Sequence, residues 1–289
     1  MDLFRARTKF WRDSTGAVDA DLNFRPVQLN PSCVQSSCGG SFCPEDEVID
    51  YPDWHYEEDL DDGPSNWPHI EGGELCGHRQ QSPILIDSAE FAVSSGLCDA
   101  PLEWTVDDAV FDWTVSHKGE NGHTLSVKSY GAKEAVSLVN AFQSEGSRQH
   151  EKYRFDAFHF HWGPDDDSGS EHRFEGVTTT LELHFVHFST DYLSVAAAVE
   201  AWADLEGVAG ADMHTLAVAG FLFEEVDDDV NVAADAVLLQ FVENAAMLEV
   251  WTNASASAVL SFAITDLVDA DDFMQNYYHY WGSLTTPPC

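Results

Sequence analysis

The sequence predicts an α+β fold that is mainly β: a large central, mostly antiparallel twisted sheet with short peripheral helices. Three observations lead there. Phe158 to Trp162, Thr178 to Phe188 and Leu216 to Phe223 alternate or run apolar over strand lengths. Only two segments read as helices. Ser194 to Leu205 is rich in alanine, the best helix former, and Ala233 to Asn244 sets Val237, Leu238, Phe241 and Val242 at helical spacing. Strands that do not alternate regularly with helices favour an antiparallel arrangement over a parallel one.

The chain can bury a sizeable core, with 289 residues, 44% hydrophobic and 12% aromatic. Its charge is extreme: 51 acidic against 13 basic residues, a formal net charge of -38. Such a surface repels nucleic acid and anionic membranes, and it stays hydrated where salt screens its self-repulsion. We read this as adaptation to high salt, at a cell surface or outside the cell. Residues 51–289 read as globular, residues 31–50 as a linker rich in Cys, Ser, Gly and acidic residues, and residues 1–30 as a separate tail. No apolar run reaches the roughly 18 residues of a transmembrane segment. Met1 to Arg7 lacks the apolar centre of a signal peptide, so the signal of a secreted protein would lie outside this chain. Asn253-Ala254-Ser255 is a glycosylation sequon. Six cysteines (33, 38, 43, 76, 98 and 289) include no C-x-x-C pair, which argues against a thiolate zinc site.

Phe158-His159-Phe160-His161-Trp162-Gly163 is the sharpest local feature. Residues two apart on a strand share a face, so two imidazoles project side by side. If the strand carrying Glu182-Leu183-His184 pairs with this one, His184 joins the same face as a third ligand. Three neutral imidazoles suit zinc and leave its fourth tetrahedral position open, as catalytic sites do. Glu182, on the face of His184, can accept that ring's other N–H and fix its orientation. Two other readings remain at this point. The histidines could be core residues satisfied by hydrogen bonds, or, with Asp165 four residues after His161, they could suit iron in a cupin-type site.

Motif order favours the zinc reading. Trp54-His55-Tyr56, Gly63-Pro64 with Trp67, Gln81-Ser82-Pro83-Ile84, Asn121-Gly122-His123, Phe158 to Gly163, Gly169-Ser170-Glu171-His172, Glu182 to His187 and Gly282-Ser283-Leu284-Thr285-Thr286-Pro287-Pro288 follow one another. In this series the chain resembles the α-class carbonic anhydrases from about Trp54 to Cys289. The resemblance implies that fold, zinc as cofactor, carbon dioxide and bicarbonate as substrates, and inhibition by sulfonamides. It implies His159, His161 and His184 as zinc ligands. Thr285 would orient the zinc-bound hydroxide that attacks carbon dioxide, and Glu171 would accept the Thr285 proton. Val186, Val218 and Leu284 would form the apolar substrate wall, and His123 would be the proton shuttle. Tyr56 and Asn121 would order the water between them.

The chain also departs from the family pattern. Ala157 stands where many members have a Gln that hydrogen-bonds a zinc ligand, so weaker metal binding is expected. Members continue beyond the Thr-Thr-Pro-Pro run, whereas this sequence stops at Cys289. Leu3-Phe4-Arg5 and Asn23-Phe24-Arg25-Pro26-Val27-Gln28 instead resemble the family's C-terminal segment. That fits a window of a tandem duplication, the favoured expectation, or a permuted domain completed by its own tail. Extracellular members pair cysteines at the positions of Cys76 and Cys289, so the resemblance implies that disulfide and an oxidising compartment. It leaves Cys33, Cys38, Cys43 and Cys98 unassigned.

Overall fold

A computed structural model of the chain describes residues 26–31 (as backbone), 54–56, 60–87, 102–118, 124–139, 141, 152–163, 168–205, 214–224, 232–248, 257–269, 273 and 277–289. Along these residues run β1 (Pro26–Pro31), β2 (Leu85–Ile86), β3 (Glu103–Val106), β4 (Phe111–Lys118), β5 (Thr124–Lys128), β6 (Val136–Val139), β7 (Lys152–Trp162), β8 (Arg173–Phe174) and β9 (Leu181–Ser189). Then come α1 (Val195–Leu205), β10 (Thr215–Phe223), α2 (Val232–Leu248), β11 (Ser257–Phe262) and β12 (Tyr278–Tyr280). One sheet of ten strands has the order β11-β4-β5-β7-β9-β10-β1-β12, with β6 on β7 and β3 on β6. All its pairings are antiparallel except β1 with β12. The fold is therefore mostly β, as expected. Among the described residues, no helix is long and apolar enough to cross a membrane.

The expected elements form with shifted ends. The strand expected from Thr178 begins at Leu181, because Thr179 serves the preceding loop. Its carbonyl accepts from the backbone N–H groups of Gly169 (2.9 Å) and Ser170 (2.8 Å). The first helix begins after Ser194, whose hydroxyl accepts from the N–H of Ala197 at 3.2 Å, the usual role of a serine N-cap. The second helix extends one residue earlier and four later than its apolar spacing indicated.

Most strands alternate simply. In β11, Ala258, Leu260 and Phe262 are buried and the residues between them exposed. Strand β7 does not. Tyr153 and Phe155 belong to the core, and so do Phe158 and Phe160. A three-residue step interrupts the period of two. A bulge between Phe155 and Ala157 absorbs the extra residue, Asp156. Without it, His159 and His161 would fall on the face of Phe155. Asp156 is buried, and it draws in two of the chain's few cations, Lys128 Nζ at 3.4 Å and Lys133 Nζ at 4.0 Å.

The core face gathers Trp104, Trp113, Phe155, Phe158, Phe185, Phe221 and Phe262 with Phe241 of α2. On the histidine face, α1 brings Ala198 and Val199 onto Phe188 and Leu216.

His187 lies within the core, fully buried. Trp104 Nε1 donates to its Nε2 at 3.2 Å, and its Nδ1 donates to the carbonyls of Phe185 (3.1 Å) and Ala217 (3.2 Å). That arrangement fixes a neutral ring. Burial pushes its pKa from 6.5 down to about 4, against the opposing effect of the two carbonyl bonds. Between those values the unfolded chain binds a proton that the folded chain refuses. The stability contribution is therefore complete above pH 6.5 and lost as pH falls through the window, about 3 kcal/mol in all. Denaturant midpoints are expected to fall from pH 7 to pH 4.5, with a shallower slope in His187→Gln. An equal slope in both proteins would exclude His187 as a source.

Candidate metal centre

Pairing of β7 with β9 puts His159 opposite His184 and His161 opposite Glu182. Directly opposed residues of an antiparallel pair share a face, so the three imidazoles stand together. Ring centroids are 4.9 Å apart for His159 and His161, 5.2 Å for His159 and His184, and 4.7 Å for His161 and His184. One nitrogen of each ring lies within 4.8 Å of the other two. On the far side of β9, Gly220 of β10 is opposite His184 and adds no side chain.

Glu182 is fully buried and accepts four hydrogen bonds. Its Oε1 receives His184 Nε2 and His172 Nδ1, each at 2.6 Å, and its Oε2 receives the backbone N–H of Glu171 (2.8 Å) and of His172 (2.9 Å). Burial alone would raise its pKa. The two imidazoles, through charge and hydrogen bonds, outweigh burial and hold the carboxyl well below the usual range. An ionised Glu182 fixes the proton of His184 on Nε2 and turns the Nδ1 lone pair towards the other two histidines. His172, Glu182 and His184 also lie within ligand distance of one another, but their hydrogen bonds to each other account for that grouping.

Sequence reasoning gave no role to His172, Tyr280, Ser82 or Ser283. His172 Nε2 accepts from the Tyr280 hydroxyl at 2.6 Å, and that hydroxyl lies 2.7 Å from Ser82 Oγ. Ser82 and Ser283 exchange backbone-to-hydroxyl bonds of 3.0 and 3.2 Å. The chain of bonds thus runs from the Gly282–Thr285 segment to a candidate ligand histidine. The one sequence signal was that His172 directly follows Glu171.

Glu171 sits on a loop pressed against the start of β9. A Cβ at Gly169 would collide with the Thr180 carbonyl, so this approach requires glycine. The Glu171 side chain is 11% exposed. Burial raises its pKa, as does Glu182, while His184, the Thr285 hydrogen bond and His172 lower it. The Thr285 side chain thus lies within hydrogen-bonding reach of Glu171. Tyr56 does so too, its hydroxyl donating to Oε1 at 3.2 Å. Glu171 Oε2 is buried without a hydrogen bond, 3.2 Å from His161 Nε2 and 3.8 Å from His184 Nδ1. Three imidazole nitrogens thus stand together, with the Glu171 carboxylate beside two of them. Three imidazoles are a donor set that fits a divalent cation of zinc's preferences.

Val186 and Val218 are cross-strand partners two residues further along the histidine face, and Leu284 packs on the neighbouring cluster of Phe188 and Leu216. All three thus lie on the histidine side of the sheet. Ala157 is opposite Val186 and buried. His123, Asn121, Asp165, Asn253 and cysteines 33, 38, 43 and 98 lie outside the described residues. Cys76 and Cys289 form the expected disulfide, with Cα atoms 5.0 Å apart.

A β-rich domain with a three-histidine candidate metal centre on one sheet face is the class that fold and site define. The model of the eukaryotic-type carbonic anhydrases matches residues 62–289, and the chain belongs to that family. It is 31% identical to human carbonic anhydrase 7 over 237 residues, 81% of this chain and 75% of that protein. To mouse carbonic anhydrase 6 it is 29% identical over 242 residues, 83% of this chain. Mouse carbonic anhydrase 15 is 27% identical over 281 residues, 94% of this chain and 72% of that protein. The chain spans 65% of the length of mouse carbonic anhydrase 6.

Proposed function

We propose that this protein is a zinc-dependent carbonic anhydrase, interconverting carbon dioxide with bicarbonate and a proton. The observation that carries this reading is the convergence of His159, His161 and His184 beside the Glu171–Thr285 pair. His159, His161 and His184 would hold the zinc. Bound there, zinc supplies a Lewis acid that makes water a nucleophile near neutral pH.

The remaining work falls to the chain's own side chains. Glu182 orients His184. Thr285 gives its proton to Glu171, so its oxygen is left to accept from the nucleophile and aim it. Tyr56 supports Glu171 from the other side. Val186, Val218 and Leu284 offer carbon dioxide, which has no dipole, a surface where water gains little. His123, with Asn121 and Tyr56 ordering water, is the proposed route for the proton, since imidazole titrates near neutrality.

The disulfide supports an extracellular or cell-surface setting. The net charge of -38 supports work in concentrated salt. Stopped-flow hydration assays at low and molar salt, each with and without a sulfonamide, test the reading as a whole. Sulfonamide-sensitive hydration that survives molar salt is expected. Zinc-loaded protein without hydration activity would refute it.

The Ala157 position carries a separate expectation. Ala157→Gln is expected to tighten zinc binding by about 10–100-fold by adding a hydrogen-bond partner for a ligand histidine. Unchanged affinity in a chelator competition would count against that.

A further inference from the structure

Strand β1 precedes the residues matched to the family and yet lies inside the sheet. Val27, Gln28, Leu29, Asn30 and Pro31 pair antiparallel with Ala219, Val218, Ala217, Leu216 and Thr215 of β10. On its other side, Pro26, Val27 and Gln28 pair parallel with Tyr278, His279 and Tyr280 of β12. Among the described residues, β12 has no other strand partner. Strand β10 carries Val218 and Gly220 beside the histidines, and β12 leads straight into Gly282–Thr285.

We propose that residues 26–31 act as an inserted strand, supplied by the chain's own N-terminal segment. This strand fills the slot between β10 and β12 and ties the Thr285 segment to the metal-bearing sheet. Without it, β10 would lose the ladder partner on its edge away from β9, and β12 the partner that joins it to the sheet, leaving open edges that folded sheets avoid. Residues 32–53 connect β1 to Trp54, 22 residues that can span about 70 Å, enough to return to any edge of this domain. A tether of that kind sets an effective concentration on the order of millimolar. At micromolar protein, the chain's own strand therefore outcompetes one from a second copy.

The pairing does not depend on the proposed chemistry, although its bearing on Thr285 does. Hydrogen exchange with mass spectrometry separates the two. In the zinc-loaded full chain at micromolar concentration, peptides covering 26–31 are expected to exchange about 100-fold or more slowly than unstructured peptide, as β10 does. The particle should be a monomer by light scattering, and a tenfold dilution should change nothing. Exchange of 26–31 at the unstructured rate would overturn the proposal. So would a dimer whose protection at 26–31 disappears on dilution, because a second copy would then be the donor.

Leu29→Pro sets a proline, which cannot donate to a ladder, in the middle of a strand paired with β10. It is expected to release β1 and to speed exchange at 277–281 about tenfold or more, while β4 and β11 stay protected. Release of β1 with 277–281 still protected would overturn the tie to Thr285. Should Leu29→Pro fail to fold, the wild-type exchange pattern still decides the insertion.

Discussion

Replacing His184 with alanine is expected to strip the protein of zinc and reduce carbon dioxide hydration to background. Apparent zinc binding of roughly 10–16 kcal/mol over four ligands assigns each about 2.5–4 kcal/mol, so affinity should fall on the order of 100- to 1,000-fold. His184→Ala also leaves Glu182 without one of its four donors. An ionised, fully buried carboxylate that loses a donor is costly, so stability should fall together with affinity. Glu182→Gln distinguishes a ligand from its support. The three ring nitrogens survive there, but the replaced carboxylate faces donors with an amide. Zinc affinity should drop only about 10–100-fold. Competition with a chromophoric chelator, with hydration rates at saturating zinc, measures both. If His184→Ala holds zinc as tightly as the wild type, the three-histidine centre is wrong, whatever the activity.

Much of that centre is visible in the sequence because it is local. His159 and His161 are two apart on a strand, and Glu182 and His184 are two apart on the next, so each pair needs only the period of a strand. The join between the strands is not local, and pairing had to be assumed. The step from Phe155 to Phe158 breaks the period of two in plain sight. Yet nothing in the sequence says that Asp156 is the extra residue, or that Lys128 and Lys133 converge on it. The bulge depends on what β5, β6 and β9 place opposite. His172 and Tyr280 escaped for a related reason. A bond across 108 positions has no periodicity to betray it. Tyr56 shows a subtler gap, since the resemblance indicated water ordering and the structure gives its hydroxyl a direct bond to Glu171. Strand β1 was legible as a likeness to another part of the fold, but its slot between β10 and β12 is a property of the closed sheet.

Loss of the Cys76–Cys289 disulfide is expected to produce the largest change in stability. It closes 213 positions of chain. The chain-entropy account of cross-links gives about 5 kcal/mol for a loop of that length, near the top of the range seen for native disulfides. For a domain of this size, a loss on that scale lowers Tm by roughly 10 °C. The bridge is also placed to act on the site, because Cys289 lies four residues past Thr285 and its N–H bonds the Thr286 carbonyl at 2.8 Å. Activity and stability should nevertheless respond unequally. The Ser82–Ser283 bonds and the Tyr280–His172 bond anchor the other end of the same segment and do not depend on the cystine. Below its lowered Tm, Cys289→Ser should therefore keep hydration within about tenfold of wild type, less than one lost ladder or network contact costs at a reacting centre. Mild reduction of the wild type should reproduce both effects. A Tm unmoved by Cys289→Ser would mean that the segment is held by its hydrogen bonds alone. A collapse of hydration with Tm intact would instead make the cystine a positioning device for Thr285.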